Sequence, residues 1–473
     1  MAARNSGWRD LVAAGNGVKV AVFAGGVALT AIEVYIGSTL MPSVVADIGG
    51  LELFAWVTTV FIVFSLMASM FAAVRPFGLG PRQNYLIAAT AFAVGSLICG
   101  LAPSMPVLLI GRAVQGFGGG LLGALGYMMV RLVFPERLWA MAFALASSMW
   151  AIATLVGPAI GGVFAEFGLW RWAFFILVPA SLLVGLGAVR VVPRLSSDAG
   201  MKRVPFIQIG LLILAVLALS VASATVGNIG LAAGLIVLAV AAIGALGLVE
   251  RRAGQRLLPS GTFTPGAPLA LMFGAMLLLQ MGILSDIFIP LFMQELHGLG
   301  PLVAGYMVAL LAVGWSGSSM LVASWNEQRS RLLIACGPVL MLIGAIGLAL
   351  FVGHANPGSA LTLLVPIGLS LTLMGVGIGT TWTHLTPRAM QAAPQGEYDV
   401  TSAALSTIQL VGSGMGAALA GFAVNLAGLG AGDPATAANW LYGLWVILPA
   451  LALPLTFAIV RRRARDGLPQ PAE

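Results

Sequence analysis

Charge is what this sequence has least of. Of its 473 residues only 8% are charged, 16 acids and 23 bases. A chain that must face water usually carries about 25%, so a soluble enzyme and a disordered protein are both excluded. Cysteine is nearly absent. Cys99 and Cys336 both fall in apolar runs, and no disulfide framework follows from them. The three histidines, His297, His354 and His384, are scattered, with no metal-ligand spacing around them. There is no Ser-His-Asp set and no nucleotide motif, so no enzymatic activity is expected.

Hydrophobic residues make up 59% of the chain. A bilayer span needs about 20 mostly apolar residues, and fourteen runs qualify. They are 18–41, 52–74, 85–103, 105–130, 139–165, 171–190, 206–224, 228–249, 267–294, 301–323, 331–352, 359–384, 398–427 and 437–460. Runs this continuous are helices, since barrel strands would alternate over about ten residues. The expected class is therefore an all-α polytopic membrane protein. Basic loops divide it into a six-span block at 1–190, two linker spans within 191–266, and six more spans at 267–473.

The formal charge of +7 would suit nucleic acid if the bases clustered. They do not. With fourteen spans and a cytoplasmic N-terminus, 21 of the 23 bases fall on one side, the positive-inside pattern. Arg171 and Arg112 are the two exceptions. Both termini are expected in the cytoplasm, with no nucleic-acid partner. The opening MAARNSGWRD has no small-residue cleavage site after a short apolar core, so span 1 is expected to be retained.

Several stretches resemble the major facilitator superfamily, and in particular its fourteen-span drug:proton antiporters. LLIGRAVQGFGGG (108–120) resembles the motif in which an intramembrane Arg is followed by Gln and Gly. GPAIGG (157–162) resembles the antiporter motif of span 5. EVYIGSTLMP (33–42) is similar to the span-1 signature, with Glu33, Tyr35 and Ser38 where that signature has Asp, Thr and Asn. WRWAFF (170–175) matches the aromatic entry to span 6. The resemblance implies two six-helix bundles plus two extra helices, working by alternating access. It gives Arg112, with Gln115 nearby, a part in proton transfer. It also implies that the span-5 kink at Pro158 limits leakage. One departure is clear. The loop FAAVRPFGLGPRQN (71–84) carries Phe77 near the place of the family's Asp, and only Gly80 and Arg82 fit the gate-latching pattern.

The ionisable groups deep in spans are Glu33, Arg112 and Asp286, and an intramembrane charge is a functional candidate by default. Glu33 and Asp286 lie in the first spans of the two six-span blocks, at roughly corresponding depths. Burial favours the neutral acid and a bound cation favours the charged one, so a proton and a cationic substrate compete for one carboxyl. The structural alternative is an acid kept neutral or paired with a hydroxyl such as Tyr35, Ser38 or Ser285. Arg112 keeps its charge and can tune an acid or anchor carbonyls.

Gly116, Gly118, Gly119, Gly120, Gly123 and Gly126 follow no strand and lack the Lys of a phosphate loop. They are expected to pack helices closely, as are Gly157, Gly161 and Gly162 around Pro158, and Gly412, Gly414 and Gly416 in span 13. Tyr35, Ser38, Gln115, Gln280, Trp315, Trp382 and Gln409 are candidates for a substrate cavity, with ordinary packing or interfacial placement as the alternative. Glu397, Asp399 and Arg388 flank the gap between spans 12 and 13, where either a gate ion pair or a solvated loop fits.

The expected function is proton-coupled export of lipophilic, cationic compounds from the bacterial inner membrane. No cofactor beyond the proton gradient is expected. The partners are the lipid bilayer, protons and a small lipophilic or cationic substrate, and the protein is expected to be a monomer. An exporter of an endogenous amphiphile, or a sensor that no longer transports, are the alternatives.

Overall fold

The computed structural model describes residues 16–74, 80–135, 138–193, 205–354, 360–430 and 432–465. Within hydrocarbon a segment must satisfy its own backbone hydrogen bonds, so these long apolar runs fold as helices. They are α1 (Gly17–Ile48), α2 (Phe54–Val74), α3 (Pro81–Leu101), α4 (Met105–Val133), α5 (Trp139–Glu166), α6 (Trp170–Phe175) and α7 (Leu177–Val191). The linker pair is α8 (Phe206–Ala224) and α9 (Ile229–Arg252). After it come α10 (Pro268–Ile283), α11 (Ile289–Glu295), α12 (Pro301–Val322), α13 (Glu327–Phe351) and α14 (Ala360–Gln391). The last three are α15 (Tyr398–Leu426), α16 (Pro434–Trp445) and α17 (Ile447–Arg465).

Among the described residues, fourteen segments are long and apolar enough to cross a membrane. Eleven are single helices, and three are broken: α6 with α7, α10 with α11, and α16 with α17. The all-α, fourteen-span class expected from hydropathy is the one observed.

The helices form two compact units. The first comprises residues 1–204 and the short segment Gly300–Tyr306; the second holds Pro205–Leu299 and Met307 onward. In the first, α4 lies between α2 and α3, and α1 packs on α5, α4 and α7. One end of this unit is tied by Arg171, one of the two bases that fell outside the basic side. Its guanidinium contacts Asp47 at 2.5 Å, donates to the Ala102 carbonyl at 3.2 Å and covers the Trp170 ring. In the second unit α10 packs on α15 and α17, and α13 on α14. The linker pair belongs here, with Ala215, Ala218 and Leu219 of α8 and Ala239 and Ala242 of α9 clustered around Ala418 of α15.

His297, between α11 and α12, is buried, and its Nε2 donates to the Val352 carbonyl at 3.0 Å. Nδ1 has no partner among the described residues. Protonation would create a buried donor with nothing to accept it, and burial pushes the imidazole pKa down. The folded state therefore resists a proton that the unfolded chain takes up at about pH 6.5. Its stability penalty is absent above that pH and grows as pH falls toward the lower folded value. Lowering the pH from 7.5 to 5 should reduce the apparent Tm more in wild type than in His297→Asn. Equal slopes would refute this account.

Candidate functional site: a buried polar chain in the first unit and a broken helix in the second

In a helix, residues three or four apart share a face, and α4 uses two of its faces differently. Arg112, Gly116 and Gly120 fall on one, against α2. A Cβ at Gly116 or Gly120 would overlap the backbone of Phe61 or Ser65, so only glycine lets the two helices come this close. That approach brings α2 within reach of Arg112. Its Nε donates to the Val57 carbonyl at 3.1 Å, and its guanidinium lies 4.4 Å from the centre of the Phe61 ring. Gly111, Gln115 and Gly118 fall on the other face, against α3. There a Cβ at Gly118 would overlap the Phe92 backbone, and one at Gly95 of α3 would overlap that of Gln115.

The two faces hold one polar chain. Arg112 Nη1 forms an ion pair with Glu33 of α1 and donates to Gln115 Oε1 at 2.7 Å. Gln115 Nε2 donates to Ser96 Oγ at 2.9 Å, and Ser96 donates to the Phe92 carbonyl at 2.8 Å. Glu33 and Gln115 are completely buried and Arg112 is 3% exposed. The second carboxylate oxygen of Glu33 accepts no hydrogen bond among the described residues. So the carboxyl is anchored at one oxygen and bare at the other.

Glu33 is therefore paired with an arginine rather than a hydroxyl. Ser38 donates to the Tyr35 carbonyl of its own helix at 3.1 Å, and Thr39 does so at 2.8 Å. Tyr35 is half-buried and faces α5, where a Cβ at Gly157 would strike its side chain and one at Gly161 would lie 3.1 Å from Thr39 Cβ. These two glycines set α5 against the acid-bearing stretch of α1. Pro158 and Gly162 face Gly305 and Leu302 in the Gly300–Tyr306 segment of the same unit.

In the second unit Asp286 sits in a 3-10 turn, Leu284–Phe288, between α10 and α11. It is the partly buried member of that turn; its four companions are fully buried. Ser285 Oγ makes no hydrogen bond among the described residues, so it does not pair with the acid. Gln280 donates to Ser413 at 2.9 Å, with its Oε1 left unpartnered. Gly412 and Gly416 let α15 approach α10 closely at Gln280 and Met281. Trp315 and Trp382 come together, ring centres 6.2 Å apart, while Gln409 is exposed. Of the cavity candidates, Gln115 is thus committed to the Glu33–Arg112 chain, and the two tryptophans form a pair.

Glu397, expected beside Arg388 and Asp399, meets Arg256 and Ser260 in the loop after α9. It accepts from the Ser260 N–H at 2.6 Å and the Ser260 hydroxyl, and it pairs with Arg256 at 3.3 Å. This ties the loop after α9 to the start of α15. Burial alone would raise the Glu397 pKa, but the Ser260 hydrogen bonds and the Arg256 charge outweigh it and hold the carboxyl below its usual range. Phe77 lies outside the described residues. Gly80 opens α3, its N–H donating to Gln83 Oε1 at 3.1 Å.

The sequence model of the Major Facilitator Superfamily matches residues 23–417. A Mycobacterium tuberculosis (strain H37Rv) protein named "probable multidrug-efflux transporter" is 37% identical over 98% of both chains. Multidrug resistance protein 3 of Bacillus subtilis (strain 168) is 26% identical over 77% of this chain and 71% of its own. Among solved structures, a POT family transporter in complex with 5-aminolevulinic acid aligns with a TM-score of 0.68, at 14% identity over 97% of each chain. A bacterial homologue of the lysosomal transporter Spinster gives 0.65, at 15% identity over 96% of this chain and 99% of its own. At such identities these two speak for the fold alone.

Proposed function

The chain belongs to the major facilitator superfamily, a family of transporters rather than enzymes, and from that premise we propose that it exports lipophilic, cationic drugs in exchange for protons. The observation that carries this reading is the Glu33–Arg112 pair, fully buried, with one carboxylate oxygen uncovered. A permanent structural pair would have each lone pair covered, because burying a charge without full hydrogen bonding is unfavourable. An oxygen left bare is where a proton or a cationic group attaches. Asp286 is the corresponding acid of the second unit, held at a helix break. The multidrug-efflux name of one relative and the multidrug-resistance name of another support drugs as the cargo.

Binding a proton at such an acid lowers its affinity for a cation, and reciprocally the cation displaces the proton. That mutual exclusion is enough for antiport. The protein then works by alternating access in the bacterial inner membrane, with both termini in the cytoplasm, as a monomer.

The test is ethidium transport driven by a pH gradient in proteoliposomes. Glu33→Gln and Asp286→Asn should each slow it roughly tenfold or more, within the 5- to 150-fold range of typical coupling energies. If both variants transport like wild type, the assignment of the acids falls. Transport that survives a protonophore would exclude proton coupling, and no transport at all would favour the sensor.

A further inference from the structure

The span that carries Asp286 is broken where the acid sits, and the break leaves backbone groups to be satisfied. In an unbroken α-helix the Gly282 carbonyl would accept from the Asp286 N–H and the Ser285 carbonyl from the Ile289 N–H. Here residues Leu284–Phe288 wind as a 3-10 turn instead, and the Ile289 N–H goes to the Asp286 carbonyl. Pro290 has no N–H with which to restore the pattern. An unpaired carbonyl at membrane depth is strongly unfavourable, so such a break persists only where neighbours cover it.

Both carbonyls are covered from one helix. Trp445 Nε1 donates to the Gly282 carbonyl at 2.8 Å, and the Tyr442 hydroxyl donates to the Ser285 carbonyl at 3.3 Å. The two residues stand three apart on α16, on one face, and both are buried. The Tyr442 ring meets Phe292 edge-on at 6.0 Å, and Phe292 stacks on Phe288 at 6.1 Å. Two aromatic donors thus hold the backbone that leads into the acid.

We propose that Tyr442 and Trp445 are positioning residues for Asp286, their donors fixing the span-9 turn in the form that presents its carboxyl for exchange. This rests on the reading that Asp286 takes part in transport. On α16 the ionisable group beside the turn is Tyr442 itself, whose hydroxyl donates to the Ser285 carbonyl next to the acid. On α15, packed against Leu284 through Gly416, the ionisable residues are Tyr398 and Asp399, at its far start. The environment of the acid is therefore set by the turn and the two donors.

Carbodiimide labelling reads this directly, because the reagent attaches to a protonated carboxyl. The full-length protein, purified in detergent, is treated with dicyclohexylcarbodiimide across a pH series. Adducts at Asp286 are located by peptide mass, with Asp286→Asn as the blank. Tyr442→Phe and Trp445→Phe should each shift the labelling midpoint by roughly half to one pH unit, the size of one hydrogen bond. Ethidium transport should slow in each. Adding Tyr442→Phe to Asp286→Asn should slow it no further, since the donor acts through the acid.

Labelling profiles that coincide with wild type overturn the proposal, as does a double variant whose losses multiply. Should Trp445→Phe fail to fold, Tyr442→Phe carries the test, since it removes one oxygen and keeps the ring on Phe292. A transport-competent Asp286→Asn refutes the role of the acid instead, and the labelling profile still judges the positioning.

Discussion

Arg112→Met should lose about 3–5 kcal/mol of stability, the usual result of removing one partner from a buried ion pair, and should abolish coupled transport. The size of the effect follows from what Arg112 holds. Its guanidinium meets Glu33, Gln115 and the Val57 carbonyl at once and lies over Phe61. Without it, Glu33 is left fully buried with neither oxygen paired. The double variant Glu33→Gln/Arg112→Met removes both charges, and such replacements are often neutral for stability. It should regain most of the lost apparent Tm in detergent while remaining inactive in proteoliposomes. Arg112→Lys should fall between, since an ammonium has no fork with which to reach Gln115 and Val57 together. A double variant as unstable as the single one would show that the pairing with Glu33 is not what Arg112 contributes.

The same three residues show how much the sequence alone could reveal. Hydropathy averages over about twenty residues, which is the length of a span. It therefore located fourteen spans and made Glu33, Arg112 and Asp286 conspicuous as charges inside apolar runs. The pairing of Glu33 with Arg112 is a different kind of information. It depends on how α1 and α4 are rotated about their axes and on which helices are neighbours, and no window along one span contains that. Gln115 illustrates the gap. Its polarity marked it as a cavity residue, but the glycines at 95, 111 and 118 bring α3 close enough for Ser96 to bind it. The break in the ninth span was not legible at all: its turn begins six residues before Pro290 and is held by Tyr442 and Trp445, about 160 residues away along the chain. Arg256 and Glu397, 141 residues apart, belong to the same class.

Gly116→Ala and Gly123→Ala should behave in opposite ways although both add one methyl to α4. At Gly116 the new Cβ would meet the Phe61 backbone, with Cα at 2.8 Å and C at 2.9 Å. Backbone atoms cannot turn aside as a side chain can, so α2 and α4 must separate, and overpacking of this kind typically loses 1–3 kcal/mol, about the scale expected here. Separation also withdraws the Val57 carbonyl and the Phe61 ring from Arg112, so transport should fall further than stability. At Gly123 nothing lies within 4 Å of the added methyl. There the smaller backbone entropy of alanine should raise helix stability by about 0.5–1 kcal/mol, with transport near wild type. Thermal unfolding in detergent and ethidium transport together separate the two effects. If the two variants proved indistinguishable, close approach of α2 could not be what places Arg112 against Glu33, and the glycines of α4 would be no more than tolerated.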